Sequence, residues 1–391
     1  MIAASRPIQR PADAKLLVID SDGAISHWPR ARWPRLLERG DLVVANDAAT
    51  LPASLSGVHV PSGASIEVRL AQRASLDPGD VREWRAVVFG EGDHRTRTED
   101  RAAPPGLRVG DELRLGPLRA VVRGVIAHAR LVALRFEGTA GEIWAGIARH
   151  GRPIQYAHVE PALALWDVWT PIASVPAAFE PPSAGFALDW RALSELRERG
   201  VELATITHAA GISSTGDPGL DRLLPLDEPY RIRATTAQSI VRTRERGGRI
   251  VAIGTTAVRA LESAAADGCR VRAGDGIATL RIGPDTRLRV VDAILSGTHE
   301  PGTSHYELLR AFADGSSLER ANAELEAHGY RTHEFGDSVF VERSSAERTC
   351  DSRTSSMNIP GQSPTIRTSG YPGIGPTSRG TRLRPALPRA G

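Results

Sequence analysis

The chain has 391 residues, of which 41% are hydrophobic and 24% charged, so it is long and apolar enough to form two or three domains. Two cysteines far apart in sequence, Cys269 and Cys350, exclude a disulfide framework and a CxxC metal site. The net charge of +3 comes from residues 344–391, where seven Arg against Glu347 and Asp351 give +5, while the other 343 residues carry −2. The overall basic charge is therefore poor evidence for a nucleic-acid-binding body.

Targeting signals are missing from the sequence pattern. No stretch approaches the 18 or so apolar residues of a membrane span, and residues 1–15 lack the apolar run of a signal peptide. The absence of a disulfide framework fits a reducing compartment. We therefore expect a cytoplasmic protein without membrane contact.

Residues 1–57 combine short strands with a helical turn. The apolar runs at 16–20 and 42–45 predict buried strands. The second run ends abruptly in Asn46 and Asp47, which places two polar side chains at a strand end.

Residues 58–137 have a different character, because short β-type runs punctuated by Gly, Pro and Asp dominate them. The predicted strands cover residues 66–70, 83–89, 112–115, 120–126 and 131–136. Short strands at this spacing indicate a small antiparallel barrel or sandwich. We interpret this block as a domain inserted into an α/β domain.

Residues 138–343 return to alternating helices and strands. The pattern predicts helices at 141–150, 190–200, 235–246, 257–266, 304–312 and 318–328, and strands at 201–207, 249–253, 288–295 and 338–341. Residues 344–391 lack periodicity and predict a disordered tail. The predicted fold is thus an α/β catalytic domain formed by residues 1–57 and 138–343, with the β-barrel of residues 58–137 inserted.

The strand end at residues 253–256 is the strongest candidate for chemistry. A buried strand gives way to Gly254, then Thr255 and Thr256, then a helix. Either threonine could cap that helix, and the free N–H groups at its N-terminus would suit a carboxylate or phosphate. Ligands bind at this kind of corner in open α/β sheets. A plain helix cap is the structural alternative.

Three further strand ends carry groups able to transfer protons or bind a ligand. Asp47 could act as a base or bind ribose hydroxyls, although an Asx-turn with Asn46 is the structural alternative. His208 ends a strand and precedes small residues that would let a ligand approach, whereas a packing role is its alternative. His299 follows the strand that ends near Ser296 and could transfer protons, or could be an exposed loop histidine.

The helix after His299 carries a further motif. Ser304 and Glu307 form an S-x-x-E pattern, which predicts a capping box. The sequence contains no HExxH, GxSxG or Walker motif, so zinc hydrolysis, serine hydrolysis and P-loop chemistry have no support.

Several motifs in this order resemble the S-adenosylmethionine:tRNA ribosyltransferase-isomerase family of queuosine biosynthesis. The matching segments, spread over residues 10–341, lie at residues 10–18, 40–53, 182–185, 254–262 and 335–337. The segment GTTAVRALE at 254–262 is the closest match, and the β-rich block falls where that family carries an inserted barrel.

This resemblance implies a monomeric two-domain enzyme without a metal or cofactor. The family transfers and isomerises the ribosyl part of S-adenosylmethionine onto a 7-aminomethyl-7-deazaguanine in tRNA. The transfer gives epoxyqueuosine and releases adenine and methionine. S-adenosylmethionine is a consumed substrate, and the tRNA anticodon region is the expected partner.

The site residues follow from combining this resemblance with the strand ends. We expect the binding of S-adenosylmethionine to involve Asn46, Gly254, Thr255, Thr256 and Arg259. Proton transfer is assigned to three open candidates, which are Asp47, His208 and His299.

The chain also departs from the family pattern. Ala48 and Ala49 stand where the family has Thr-Arg, and Ser54 replaces another Arg. These departures leave two alternatives open. One is a divergent enzyme that uses S-adenosylmethionine or a related nucleoside on a non-tRNA acceptor. The other is a catalytically inactive binding homologue.

Overall fold

The computed structural model describes residues 1–265, 268 and 270–344. Apart from Ser344, the tail predicted to be disordered lies outside the described residues. Within the described part of the chain, no helix has both the length and the hydropathy needed to cross a membrane.

Strands dominate the N-terminal half and alternate with helices afterwards. The strands of the described residues are β1 Ile2–Ala3, β2 Lys15–Ile19, β3 Ile25–Pro29, β4 Leu42–Asn46, β5 Ala48–Thr50, β6 Ser54–His59, β7 Ala64–Arg73, β8 Glu83–Phe89, β9 Glu112–Leu115, β10 Leu118–Val125, β11 Leu131–Phe136, β12 Val175–Ala178, β13 Glu202–His208, β14 Glu228–Ile232, β15 Ile250–Ile253, β16 Gly274–Ala278, β17 Ala293–Gly297, β18 Arg331–Thr332 and β19 Ser338–Glu342.

The α-helices belong mostly to the second half of the chain. They are α1 Ala140–His150, α2 Leu165–Val168, α3 Trp190–Arg199, α4 Pro218–Asp221, α5 Ala234–Glu245, α6 Thr255–Ala264, α7 Ser304–Leu309 and α8 Gly315–Ala327. Short 3₁₀ helices cover Arg30–Leu36, Thr98–Asp100 and Ser183–Ala187.

A nine-stranded mixed sheet forms the centre of the α/β part. Its strand order is β16-β14-β13-β4-β15-β17-β19-β2-β3. The four neighbouring strands β13, β4, β15 and β17 are parallel to one another. Their carboxyl ends therefore meet at one edge of the sheet, which is where ligands bind in open α/β folds.

Both faces of this sheet are covered, because alternate residues of each strand point to opposite sides. Leu42 and Val44 belong to a core that also holds buried residues of α6 and α8. Val43 and Ala45 belong to a second core with Trp33 and residues of α3. This two-sided burial explains why the strand reads as a continuous apolar run.

The inserted block folds as a closed barrel of six strands in the order β10-β11-β8-β7-β6-β9. Neighbouring strands are antiparallel, and closure leaves no unpaired edge. This architecture confirms the predicted fold class, an α/β main domain with an inserted antiparallel barrel. The barrel strands run from Ser54 to Phe136, so the first begins four residues before the predicted boundary at residue 58. The domain limits themselves stay a prediction.

Candidate active site

The four parallel strand ends meet beside a cavity of about 280 Å³. This volume is near the lower end of the range of small-molecule sites, about 300–1,000 Å³. Five of the eight predicted site residues line it, namely Gly254, Thr255, Thr256, Arg259 and His299. The structure thus brings together two of the predicted loops at one cavity wall, whereas Asn46, Asp47 and His208 lie outside the described lining.

The N-terminus of α6 faces the cavity without a side-chain cap. Gly254 is the N-cap residue, and no side chain forms a capping hydrogen bond at this helix end. The predicted cap at Thr255 or Thr256 is therefore wrong, because the helix already begins at Thr255. Gly254 has φ of 86°, a left-handed conformation that favours glycine. The turn leaves the first N–H groups of α6 without a side-chain cap, which suits an anionic ligand group.

Arg259 lies one turn further along α6, and its guanidinium already has protein partners. Its guanidinium forms an ion pair with Glu228 and donates to the carbonyl oxygen of Ala278 at 3.0 Å. Both side chains are buried, with 9% and 6% of their surface exposed. The Glu228 carboxylate also accepts a hydrogen bond from the Gly211 backbone N–H at 2.6 Å. Arg259 therefore balances a buried carboxylate on the cavity wall.

The side chains of Asn46 and Asp47 form hydrogen bonds with residues of β5 and β13. The Asn46 side-chain oxygen accepts from the backbone N–H of Ala48 at 3.1 Å, which is an Asx-turn. The same oxygen accepts from the His208 N–H at 2.9 Å, and the Asn46 amide donates to the Thr256 hydroxyl at 3.4 Å. Asp47 accepts from Thr207 at 2.6 Å. Asn46 therefore reaches the cavity through Thr256.

Asp47 carries one further partner. Its second carboxylate oxygen forms an ion pair with Arg233 at 2.9 Å, and only 2% of the residue is exposed. Its role in proton transfer stays a prediction.

His208 is completely buried behind the cavity wall. Its Nε2 lies 3.3 Å from the Glu228 carboxylate, although neither ring nitrogen has a hydrogen-bond partner of good geometry among the described residues. Burial and then the nearby Arg259 guanidinium hold the pKa of His208 well below its usual range. Its imidazole is therefore neutral at physiological pH, and its assigned role stays a prediction.

His299 lines the cavity next to a second histidine. Its ring stacks on His305 with a centroid separation of 4.6 Å, and its Nε2 lies 3.2 Å from the Ser296 hydroxyl. Burial, then His305 and His333, hold the pKa of His299 well below its usual range. The helix after it is capped by Thr303, which accepts from the Tyr306 N–H. The predicted capping box at Ser304 and Glu307 is therefore wrong by one residue, because Ser304 already belongs to α7.

Glu180 lines the same cavity and was missed by the sequence motifs. It follows β12, is 8% exposed and precedes two prolines that fix the backbone. Its carboxylate accepts from the Tyr156 hydroxyl and from the Ser213 backbone N–H at 3.0 Å. Burial raises the pKa of Glu180 to about 7, against the opposing effect of these two donors. No local sequence pattern predicts a site role for this residue, because its hydrogen-bond partners lie 24 and 33 positions away in sequence.

A second polar cluster lies beside Tyr156. The ring of His158 stacks on Tyr156 and on His333, and its Nε2 lies 3.1 Å from the Glu334 carboxylate. Ligand atoms of His158, His333 and Glu334 all lie within 4.8 Å of one another, so these residues could supply three ligands to a metal ion. The expected absence of a metal and a cofactor stays a prediction.

Comparisons with known proteins were made with the whole chain. Residues 1–341 match the family described as "Queuosine biosynthesis protein". An S-adenosylmethionine:tRNA ribosyltransferase-isomerase of Anaeromyxobacter sp. is 33% identical over 88% of this chain and 96% of its own length. The enzyme of the same name from Thermus thermophilus is 31% identical, over 84% and 92% of the two chains.

The chain is also similar to a solved structure. It is the S-adenosylmethionine tRNA ribosyltransferase of Thermotoga maritima, which is 25% identical and matches with a TM-score of 0.46. The match covers 87% of this chain and 96% of that one.

Proposed function

The chain belongs to the queuosine biosynthesis protein family, and we propose that it is an S-adenosylmethionine:tRNA ribosyltransferase-isomerase. It transfers the ribosyl part of S-adenosylmethionine to the 7-aminomethyl group of a 7-deazaguanine in tRNA. The ribosyl group is rearranged in the process, giving epoxyqueuosine, adenine and methionine.

One structural observation carries most weight for this proposal. The family segment 254–262 begins at the carboxyl edge of four parallel strands, and its residues Gly254, Thr255 and Thr256 line the cavity. A ligand with a carboxylate can dock against the helix end, where N–H groups and the helix dipole favour negative charge. The methionine carboxylate of S-adenosylmethionine is such a group.

The charges of the cavity wall also suit this substrate. S-adenosylmethionine carries a sulfonium and an ammonium group, and the carboxyl groups of Glu180 and Glu228 line the cavity. Arg259 lies on the same helix but already forms an ion pair with Glu228, so we assign it a structural role in the cavity wall. Asn46 supports the same wall by its bond to Thr256.

The first chemical step needs a base near the ribose. The sulfonium acidifies the neighbouring C5′ protons, so a single positioned base can start the reaction. Among the three candidates from the sequence, His299 lines the cavity, whereas Asp47 and His208 lie behind it. Neutral His299 would accept a proton only weakly, because its pKa is low.

The remaining properties follow from the proposed activity. The enzyme would act as a cytoplasmic monomer, with S-adenosylmethionine as a consumed substrate and without a metal or other cofactor. Light scattering during size-exclusion chromatography tests the monomer. Metal analysis of the purified protein tests the absence of an ion, for which the described residues offer two candidate groups, His158 with His333 and Glu334, and His27 with Glu324 and His328.

The proposed activity is tested by adenine release. Purified full-length chain is incubated with S-adenosylmethionine, with and without tRNA that carries 7-aminomethyl-7-deazaguanine. Adenine that appears only with this tRNA supports the proposal. Adenine released equally without tRNA would instead indicate a different acceptor, and no adenine under either condition would leave only a binding protein.

A further inference from the structure

Four carboxyl groups lie at or near the cavity, those of Asp47, Glu180, Glu228 and Glu307, and their surroundings separate them. Glu307 is partly exposed and forms an ion pair with Arg310 at 3.0 Å. Asp47 is locked between Thr207 and Arg233, outside the lining. Glu228 lines the cavity, but the Arg259 guanidinium neutralises it. A carboxylate in a close ion pair is a weaker base than one held by neutral donors alone.

Glu180 has only neutral donors within hydrogen-bonding distance. These are the Tyr156 hydroxyl and the Ser213 N–H. The charged and titratable groups beyond them are Glu334, His158 next to Tyr156, and Arg69, whose guanidinium lies 5.5 Å from the centre of the Tyr156 ring. Glu180 is therefore buried and hydrogen-bonded, and among the described residues no cationic side chain forms an ion pair with it.

The position of Glu180 places it close to the helix end that receives the substrate. Glu180 lies four positions before Ala184, whose Cβ lies 3.3 Å from where a Cβ on Gly254 would stand. The Cα atoms of Glu180 and Ala184 are at most about 14 Å apart, because each residue of extended chain spans no more than about 3.6 Å. Both line one cavity.

We propose that Glu180 is the general base that removes a C5′ proton from S-adenosylmethionine, an inference that rests on the proposed function. The C5′–H bond breaks and its proton moves to a Glu180 carboxylate oxygen. The electron pair stays on C5′, where the adjacent sulfonium stabilises it. Tyr156 is a positioning residue, since its hydroxyl fixes the carboxylate against the Ser213 N–H.

The protonation state of Glu180 agrees with this role. Its pKa of about 7 makes it a stronger base than an ordinary glutamate and leaves a large ionised fraction at physiological pH. Turnover should therefore increase with pH through about 7 as Glu180 loses its proton.

The test compares Glu180→Gln with Glu334→Gln in the full chain. Glutamine at 180 can accept from Ser213 and donate to the Tyr156 oxygen, so the fold should tolerate it. Glu334 is a partly buried carboxylate near Glu180 that is not part of the cavity lining, which makes its amide variant a control for the loss of one nearby carboxylate. Adenine release in a single turnover is followed between about pH 6 and pH 9, and binding of S-adenosylmethionine is measured by calorimetry.

We expect Glu180→Gln to lower the single-turnover rate at least about 100-fold, the lower limit of a usual general-base contribution, and to remove the increase through neutral pH. Its affinity for S-adenosylmethionine should fall much less than the rate, by about tenfold or less, because the variant loses only the attraction of one carboxylate for the positively charged substrate. Glu334→Gln should keep the rate at high pH and still show an increase with pH, centred at a lower pH because the Glu334 charge raises the pKa of Glu180. A Glu180→Gln rate within about threefold of wild type would overturn the inference while the proposed function stands. Wild-type protein without adenine release would overturn the proposed function, and this inference with it.

Discussion

Two of the three glutamates that line the cavity, Glu180 and Glu228, differ in one partner. Each accepts a hydrogen bond from a backbone N–H of the same loop, Ser213 for Glu180 and Gly211 for Glu228. The remaining partner is the Tyr156 hydroxyl in the first case and the Arg259 guanidinium in the second.

This difference explains how Glu180 and Glu228 can have separate roles in one cavity. Burial raises the pKa of both, but for Glu228 the Arg259 charge opposes the rise, whereas Glu180 has only neutral donors and reaches about 7. Environments that separate two carboxyl groups in this way distinguish a proton carrier from a fixed charge. Four substitutions test the comparison.

The largest effect is expected from Arg259→Met, which leaves Glu228 buried without its cation. Removing one partner of a buried ion pair should lower the free energy of unfolding by about 3–5 kcal/mol at neutral pH. The loss should be smaller in acid, because a protonated Glu228 no longer needs a cation. Urea unfolding at both pH values measures the effect.

Arg281→Met is the control for this prediction. Arg281 lines the same cavity but is exposed and donates to the carbonyl oxygens of Arg222 and Leu223. Its loss should change the free energy of unfolding by about 0.5 kcal/mol or less. An Arg259 variant as mild as this control would show that Glu228 does not depend on its cation.

The second effect is a change of stability with pH caused by Glu180. Its pKa is raised in the folded state from about 4.5 to about 7, so its contribution to stability is fully present below pH 4.5 and is lost as the pH rises through 7. Relative to Glu180→Gln, wild type should lose about 3 kcal/mol of unfolding free energy over this range. A difference between the two proteins that does not vary with pH would contradict the comparison.

The third effect concerns Tyr156→Phe, which removes a hydrogen bond to the ionised form of Glu180. The pKa of Glu180 should rise further, since the Tyr156 hydroxyl lowers it in wild type. A rise of about one unit would reduce turnover about tenfold at pH 6 and leave it unchanged near pH 9. Tyr306→Phe, whose hydroxyl instead accepts from Asn322, is the control. Equal losses at all pH values would indicate a purely structural role for Tyr156.

The smallest effect is expected at the helix end. Thr255→Val removes a hydroxyl from the cavity lining but keeps the backbone N–H groups, so the affinity for S-adenosylmethionine should fall about threefold to tenfold. Thr235→Val changes an exposed threonine in the first turn of α5 and should have no effect. If Thr255→Val and His208→Ala both keep wild-type binding and turnover, the assignment of these two residues to the site is wrong.

The strand ends could be predicted because a strand that is buried on both faces is a continuous apolar run in the sequence. Residues 42–45 and 250–253 are apolar throughout, and each run stops at a polar or glycine residue. The two-sided covering of the sheet explains this pattern. The parallel order that brings the ends together depends on contacts between distant segments, so it could be expected only from the family resemblance.

Local sequence patterns gave a wrong or no prediction where the backbone conformation or a residue distant in sequence determines the structure. The threonine cap at α6 was wrong because Gly254 takes a left-handed conformation and the helix starts one residue earlier than the cap requires. Glu180 sits between Phe179 and Pro181 with no periodic or spaced partner in sequence. Its surroundings come from Tyr156 and Ser213, which only the fold brings near it.

The central claim is that this cavity carries out ribosyl transfer and isomerisation on tRNA. The most direct measurement combines mass spectrometry of the tRNA nucleosides with quantification of adenine and methionine in the same reaction. We predict epoxyqueuosine in the tRNA and one adenine and one methionine for each nucleoside modified. Unmodified 7-aminomethyl-7-deazaguanine after prolonged incubation with active, S-adenosylmethionine-binding protein would contradict the account.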